Sequence, residues 1–293
     1  MSPTQSIFPP PAVPLDYLLI GHVTQDVTPR GLVLGGTVSY SAMAAAALGL
    51  NVGIITVAPD EVDLSALAAF SIHRIPSSEA TTYENIQTPN GRIQYLHKRA
   101  PTITAEMVPQ SWCSPAIVHF APVAFEIDPN LLDIFPDSFH CITPQGCMRT
   151  ADKEKQVHYC DWAEAELLLP RIDAAVFSVE DVQFDEKRIQ HLVKFANILA
   201  VTEGEQGAHI YWKGDVRHFN APKVNVIDPT GAGDIFAAVF FARLFATRDA
   251  WLAGEQAVHL ASMSVTRRGV ASMPTAQEIQ TAFVEILPGN KNA

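Results

Sequence analysis

Short apolar runs alternate with longer helical stretches along most of this chain. Residues 16–21 (Asp16-Tyr17-Leu18-Leu19-Ile20-Gly21) form an apolar run closing on glycine, the mark of a buried strand. Residues 37–48 are rich in Ala and Ser and stop at Gly49, which predicts a closely packed helix with a glycine end. Residues 52–57 read as the next strand, and strand, helix, strand in this order predicts parallel pairing. Further strands are predicted at 116–120, 139–143, 174–178 and 197–202, with helices at 128–135, 161–169 and 184–196 between them. The last third is helical, at 234–246, 249–265 and 275–286. The first of these helices is apolar on nearly every face, so it belongs in the centre of the molecule. The expected fold class is α/β, a doubly wound, mainly parallel sheet flanked by helices.

Two hairpins break the alternation. Residues 81–88 and 92–98 flank Pro89-Asn90-Gly91, with Tyr83, Ile86, Ile93 and Tyr95 set among polar residues. This hairpin is either an edge of the main sheet or a small β lid over a site, and insertions of this kind often cover sites. Residues 207–212 and 216–220 straddle Lys213-Gly214-Asp215 as a second hairpin. Residues 1–14, Pro-rich and polar, read as a flexible leader. Residues 15–293 read as one α/β domain with the lid inserted at about 80–100. No internal repeat is present.

Composition narrows the function classes. Of 293 residues, 48% are hydrophobic, enough for a sizeable core, and the formal net charge is -11. That charge disfavours nucleic acid and anionic membranes as partners. The N-terminal stretch lacks the pattern of a secretory signal, and the apolar run 235–241 stops at Arg243, short of a membrane span. Cys113, Cys141, Cys147 and Cys160 show no framework spacing. Cys141, Cys147, His158 and Cys160 lack the paired knuckles of a structural zinc site. Reduced thiols and a cytoplasmic location are expected.

The chemistry concentrates at Asp228-Pro229-Thr230-Gly231-Ala232-Gly233-Asp234, directly before the apolar helix. Helix N-termini carry unpaired N–H groups and partial positive charge, and glycines let a phosphate approach them. Asp234 would stand beside that anion, placed to take a proton from an attacking hydroxyl. Alternatively, Asp234 is only an N-terminal cap. A second cluster, Thr202-Glu203-Gly204-Glu205-Gln206-Gly207, follows a predicted strand, where open α/β sheets bind ligands. An ordinary connecting turn is the competing reading.

Together these motifs resemble the ribokinase/PfkB family of carbohydrate kinases. The run 228–234 looks like that family's C-terminal signature, and Gly35-Gly36 before the Ala-rich helix looks like its N-terminal one. Thr202-x-Gly204-x-x-Gly207 is similar to its nucleotide loop, and Ser264-Val265-Thr266-Arg267-Arg268-Gly269 to its late helix end. The order and spacing fit from about residue 16 onward. The resemblance implies a ribokinase-like fold and ATP-dependent phosphorylation of an alcohol. By the same resemblance Asp234 is the base, and backbone N–H groups of Gly231, Ala232 and Gly233 hold the transferring phosphoryl group. Thr202, Gly204, Gly207 and Thr230 would line the nucleotide, with Gly35 and Gly36 forming the substrate floor. Asp26 falls where the family often has an acid gripping substrate hydroxyls, with a turn-capping Asp before Pro29 as the competing reading.

Two departures qualify the resemblance. Tyr40 stands where the family carries an Asn that contacts sugar hydroxyls, which puts a ribose-type acceptor in doubt. Ser178-Val179-Glu180-Asp181 replaces the family's Asn-x-x-Glu, so Glu180 and Asp181 are the metal candidates for Mg²⁺, or else simply favour a helix start. Pro144-Gln145-Gly146-x-x-Arg149 looks like a segment of a subset of these kinases. Arg149 either forks onto a phosphate or is a plain exposed arginine. Some relatives also use a monovalent cation. The implied substrate is a small sugar or polyol. The alternatives are a nucleoside, or a noncatalytic nucleotide- or sugar-binding protein on the same scaffold. A Rossmann oxidoreductase is disfavoured, because Gly21-His22-Val23-Thr24 contains no G-x-G-x-x-G. An exposed lid hairpin can pair edge to edge, which makes a homodimer through the lid a further expectation.

Overall fold

The computed structural model describes residues 14–88 and 91–283. The leader up to residue 13, the Pro89-Asn90 turn and the end of the helix expected at 275–286 lie outside the described residues. Strand β1 (Tyr17–Ile20) is buried on both sides. Tyr17 and Leu19 feed one hydrophobic core, while Leu18 and Ile20 feed the other. A strand sandwiched between two helical layers has no polar face, which is why its sequence is an unbroken apolar run.

The chain continues through β2 (Thr24–Thr28), β3 (Gly31–Gly35), α1 (Thr37–Ala47), β4 (Val52–Val57) and β5 (Ser71–Ile75). Next come β6 (Thr81–Thr88), β7 (Gly91–Lys98), β8 (Ile117–Phe120), β9 (Phe139–Ile142), β10 (Arg149–Ala151) and β11 (Val157–Tyr159). Helix α2 (Ala165–Leu168), β12 (Ala174–Ser178), α3 (Glu186–Val193), β13 (Ile198–Thr202), β14 (Ala208–Trp212) and β15 (Asp215–Phe219) follow. The chain then runs through α4 (Ala232–Thr247), α5 (Ala250–Ser264) and α6 (Ala276–Phe283).

Among the described residues the main sheet has nine strands, in the order β5-β4-β1-β8-β9-β12-β13-β14-β15. Pairing is parallel from β5 to β13, and β14 and β15 add an antiparallel hairpin at one edge. From β1 the chain runs to β4 on one side and later returns to β8 on the other. The carboxyl ends of β1 and β8 therefore flank a topological switch point, where such sheets open a crevice. Helix α4 lies between α1 and α5, and its residues 235–242 are all buried, in keeping with the unbroken apolar run there. No described helix is long and apolar enough to cross a membrane.

A separate sheet, β3-β2-β6-β7, stands off the main one. The 81–98 hairpin thus belongs to a separate layer and not to the main sheet's edge. It is larger than the sequence pattern indicated. Strand β2 escaped notice because Thr24-Gln25-Asp26-Val27-Thr28 is polar and only partly buried, and β3 because its apolar run, Leu32-Val33-Leu34, is short and largely exposed. Strand β2 pairs with β3 antiparallel and with β6 in parallel. Asp26 is therefore a strand residue opposite Val33 and Tyr83, which corrects the turn-cap reading. The short β10–β11 ribbon, also unforeseen, leans on β7 through the Leu96 amide, which donates to the Lys155 carbonyl at 2.9 Å.

Several expected helices shrink. The segment expected at 128–135 is a 3₁₀ turn, Pro129–Ile134, capped by Asp128. The one expected at 184–196 starts two residues later. Gln183 and Phe184 both take left-handed backbone, so the helix begins after Asp185, whose carboxylate accepts from the Lys187 amide at 2.9 Å. Between β9 and β10 the 3₁₀ turn Pro144–Met148 passes directly beneath the loop after β8. The Gly146 amide donates to the Pro122 carbonyl at 3.0 Å, and a Cβ at Gly146 would fall within 2.6 Å of Pro122 and Val123 backbone atoms. Neither backbone can yield, so Gly146→Ala is expected to cost roughly 3 kcal/mol. A lowered urea midpoint with an unchanged slope checks this.

Candidate active site

The carboxyl ends of β9, β12 and β13 converge with the first turn of α4 around a cavity of about 130 Å³. Thr143, Gln145, Arg149, Ser178, Glu180, Asp181, Thr202, Gly233 and Asp234 contribute to its walls. The start of α4 is shaped by close approach. Gly231 has φ +79, and a Cβ there would run into the Tyr40 ring. The Ala232 amide donates to the Pro229 carbonyl at 3.2 Å and Ile235 donates to the Gly231 carbonyl at 2.9 Å. The amides of Gly233 and Asp234 meet no acceptor among the described residues. The Gly231 amide likewise meets no acceptor among the described residues, so of the three donors that the sequence implied only Ala232 is already used. A Cβ on Gly233 would meet nothing within 4 Å, so this glycine borders open space on the cavity side.

Asp234 is partly buried at this positive helix end. The Thr37 hydroxyl hydrogen-bonds its carboxylate. Gln145 Nε2 in turn donates to Thr37 Oγ1 at 2.6 Å, and Ser41 Oγ donates to the Asp234 carbonyl at 3.0 Å. Helix α1 therefore grips the first turn of α4 from one side. Desolvation pushes the Asp234 carboxyl up to about 6. The Thr37 hydrogen bond and the Arg149 charge pull the other way, while the Asp181 charge adds to the rise. Tyr40 is pushed up to about 12 by burial and by the negative charges of Asp234, Asp26 and Asp228.

Arg149 is not the plain exposed arginine of one sequence reading. Its side chain is 16% exposed and donates from Nη2 to Asp181 Oδ1 at 2.7 Å. Asp181 Oδ2 also accepts from the Ser178 amide at 3.0 Å, completing a capping box on the 3₁₀ turn Val179–Val182. Both Asp181 oxygens are thus engaged. Glu180 is exposed at the cavity wall and forms no ion pair among the described residues. One carboxylate facing open space suits Mg²⁺, which keeps several waters and binds few protein carboxylates.

The other candidates divide. Gly35 and Gly36 allow tight contact: a Cβ on Gly35 would lie 2.7 Å from Asp26 Oδ2, and one on Gly36 2.7 Å from the His22 carbonyl oxygen. Thr202 borders the cavity, whereas Gly204 is exposed on the turn Gly204–Gln206. Gly207 is buried, and a Cβ on it would run into the Phe219 carbonyl, so packing against β15 already accounts for it. Thr230 is exposed, its amide donating to Asp228 Oδ1 at 3.0 Å.

A second cavity, about 270 Å³, lies between the separate sheet, the loop after β8 and the β10–β11 ribbon. Tyr83, Leu96, Arg99, Phe125 and Val157 line it, and Arg149 reaches it too. The loop on its floor is fixed by fully buried Glu126, whose carboxylate accepts from the amides of His22, Val123 and Ala124 at 2.7–3.1 Å. The sequence reading missed Glu126 and Thr37. Only Gln145, inside the Pro-Gln-Gly segment, carried a signal.

A sequence model described as pfkB family carbohydrate kinase matches residues 128–276 of this chain. The chain belongs to that family. The kinase is 25% identical over 258 residues to the cytidine kinase of Thermococcus kodakarensis, covering 78% of this chain and 88% of that protein. It is 32% identical over 91 residues to a fructokinase of Escherichia coli, 29% of this chain and 30% of that protein. Among solved structures, a sulfate complex of a pyrophosphate-dependent kinase of the ribokinase family aligns with a TM-score of 0.75 at 21% identity. That alignment covers 91% of this chain and 99% of the other. Ribokinase from Giardia lamblia aligns at 0.73 with 16% identity, covering 92% and 98%. The ribokinase-like fold is thereby established. The kinase is a phosphotransferase acting on a hydroxyl group, which sets aside the noncatalytic and oxidoreductase readings.

The raised Asp234 carboxyl has a consequence for stability. In the unfolded chain it titrates near its usual value of about 4. Between that value and about 6 the folded state holds a proton that the unfolded state has released, so stability from this group falls as pH rises through the window. Above it the cost of a charged, desolvated carboxylate is fully present. Asp234→Asn should raise Tm at pH 8 by about 2–4 °C, the shift for ~1 kcal/mol in a domain of this size. The gain should vanish near pH 4, as thermal melts across pH would show.

Proposed function

We propose that this kinase transfers the γ-phosphoryl group of ATP to a hydroxyl of a small sugar or polyol, with Asp234 as the base. The observation that carries this reading is the pairing of a desolvated carboxylate with two unused amides at the tip of α4, facing a small polar cavity. The acceptor hydroxyl would give its proton to Asp234, held in place by Thr37 and, behind it, Gln145. The amides of Gly233 and Asp234 would receive the oxygens of the group in transfer, and the helix end favours the charge that develops there. Mg²⁺, when bound, neutralises phosphate oxygens, and Glu180 is the carboxylate that would hold it. Arg149, between the two cavities, would balance charge on the phosphates.

Asp26, Tyr40 and the Gly35-Gly36 step would receive the acceptor beneath the separate sheet, acting as a lid that excludes water. A ribokinase-family structure bound to a pyrophosphate analogue and myo-inositol, with a TM-score of 0.76 at 20% identity, supports a polyol by likeness of fold. The length of the match to the cytidine kinase favours a second reading, phosphorylation of a nucleoside. Thr202 and the Gly204 turn would lie against the nucleotide donor. The exposed Leu32, Val33 and Ile86 of the small sheet support a homodimer through the lid.

Turnover of sugars, cyclic polyols and nucleosides with ATP, and in parallel with pyrophosphate, tests the reading. A polyol or sugar turned over with ATP is expected. A nucleoside preferred by more than tenfold in kcat/KM would favour the second reading. Asp234→Asn should lower kcat by about 10²-fold or more while donor affinity changes little. The wild-type kcat/KM should fall below about pH 6, following protonation of Asp234. Gly233→Ala should fold normally, because its Cβ meets open space, yet raise the donor KM or lower kcat by at least tenfold by filling the phosphate position.

A further inference from the structure

Three side chains outside this cleft converge at the hairpin edge of the main sheet. His209 on β14 and His218 on β15 are direct cross-strand partners, so their imidazoles share one face. The ring centroids are 4.4 Å apart. Glu203, just after β13, reaches both: His209 Nδ1 lies 2.9 Å from Oε1 and His218 Nε2 lies 3.4 Å from Oε2. One ligating atom from each residue falls within 4.8 Å of the others. This is the only such group of His, Cys, Asp and Glu among the described residues. The cysteines and His158 considered from sequence do not form one.

We propose that Glu203, His209 and His218 form a binding site for a divalent transition-metal cation of the zinc class. Ligands at about 2.0–2.2 Å around a tetrahedral ion stand roughly 3.3 Å from one another. The ligating atoms, all within 4.8 Å of one another, reach that spacing by side-chain rotations that bring one Glu203 oxygen to both imidazoles. Each imidazole presents a lone pair by carrying its proton on the other ring nitrogen. Two imidazoles and one carboxylate select zinc, cobalt or nickel over magnesium, which takes oxygen ligands. The side chains are 20%, 35% and 31% exposed for Glu203, His209 and His218, which leaves an entry path and a fourth position for water. Glu203 sits between Thr202, on the cavity wall, and Gly204. An ion there ties three strands of the sheet edge to the rim of the active-site cavity.

The site is tested by titrating chelator-treated, full-length protein with Co²⁺ while recording visible absorption, then displacing it with Zn²⁺. Wild type should bind one equivalent with the intense bands of a four- or five-coordinate ion, and Zn²⁺ should abolish them. His209→Gln/His218→Gln should lose at least tenfold in affinity and lose the bands. Glu203→Gln should weaken binding by a similar factor. Circular dichroism and Tm of the variants confirm that they fold. If the double variant does not fold, His218→Gln alone, on the exposed edge strand, carries the comparison. Absence of the bands in wild type, or equal binding by a folded variant, overturns the site.

Discussion

The structure depends on pressing the first turn of α4 against the first turn of α1. Gly231 has no side chain because the Tyr40 ring occupies that space, and Ser41 anchors the Asp234 carbonyl. The contact brings a carboxylate into a partly dry cleft, which raises the free energy of its charged form. Thr37 and Arg149 offset part of that cost. What remains is a carboxylate poised near neutrality beside two amides that meet no acceptor among the described residues. In the proposed reaction, stability would be given up at the position where the chemistry needs it, the usual compromise of an active site.

The rest of the fold holds that contact rigid. The largely apolar α4 is wrapped by α1, α5 and the sheet, so its tip cannot shift without disturbing a close-packed core. The parallel strands end together at the cleft, delivering Thr143, Ser178 and Thr202 to one rim. Arg149 bridges the α4 cavity and the larger space under the small sheet, steadied by Asp181. Buried Glu126 uses both carboxylate oxygens on backbone amides, so the loop between those spaces is fixed by hydrogen bonds as well as by the packing of Val123 and Ala124 against Tyr83.

Elements whose signal is local were readable along the chain. The strand 52–57 is apolar because both its faces are covered, and helix α4 is apolar all round because it is central. Strands β2, β3 and β5 carry mixed, partly exposed faces, and pairing alone makes them strands. The start of α3 was misplaced because Phe184 looks like a helix residue yet lies exposed on left-handed backbone. At the site, Asp234 and Arg149 announced themselves by motif. Thr37 and Glu126 did not, since a threonine and a glutamate acquire a role only from the groups the fold sets against them.

The amino-acid sequence by itself determined the α/β class, the central helix and the acid at its tip, because periodicity and helix-end chemistry act over a few residues. Tertiary structure alone decided that Asp181 is committed to Arg149, that Asp26 lies in a strand, and that Glu203, His209 and His218 meet at one edge. Those outcomes rest on strand pairing and on contacts between separate elements. No local pattern encodes which distant partner will arrive.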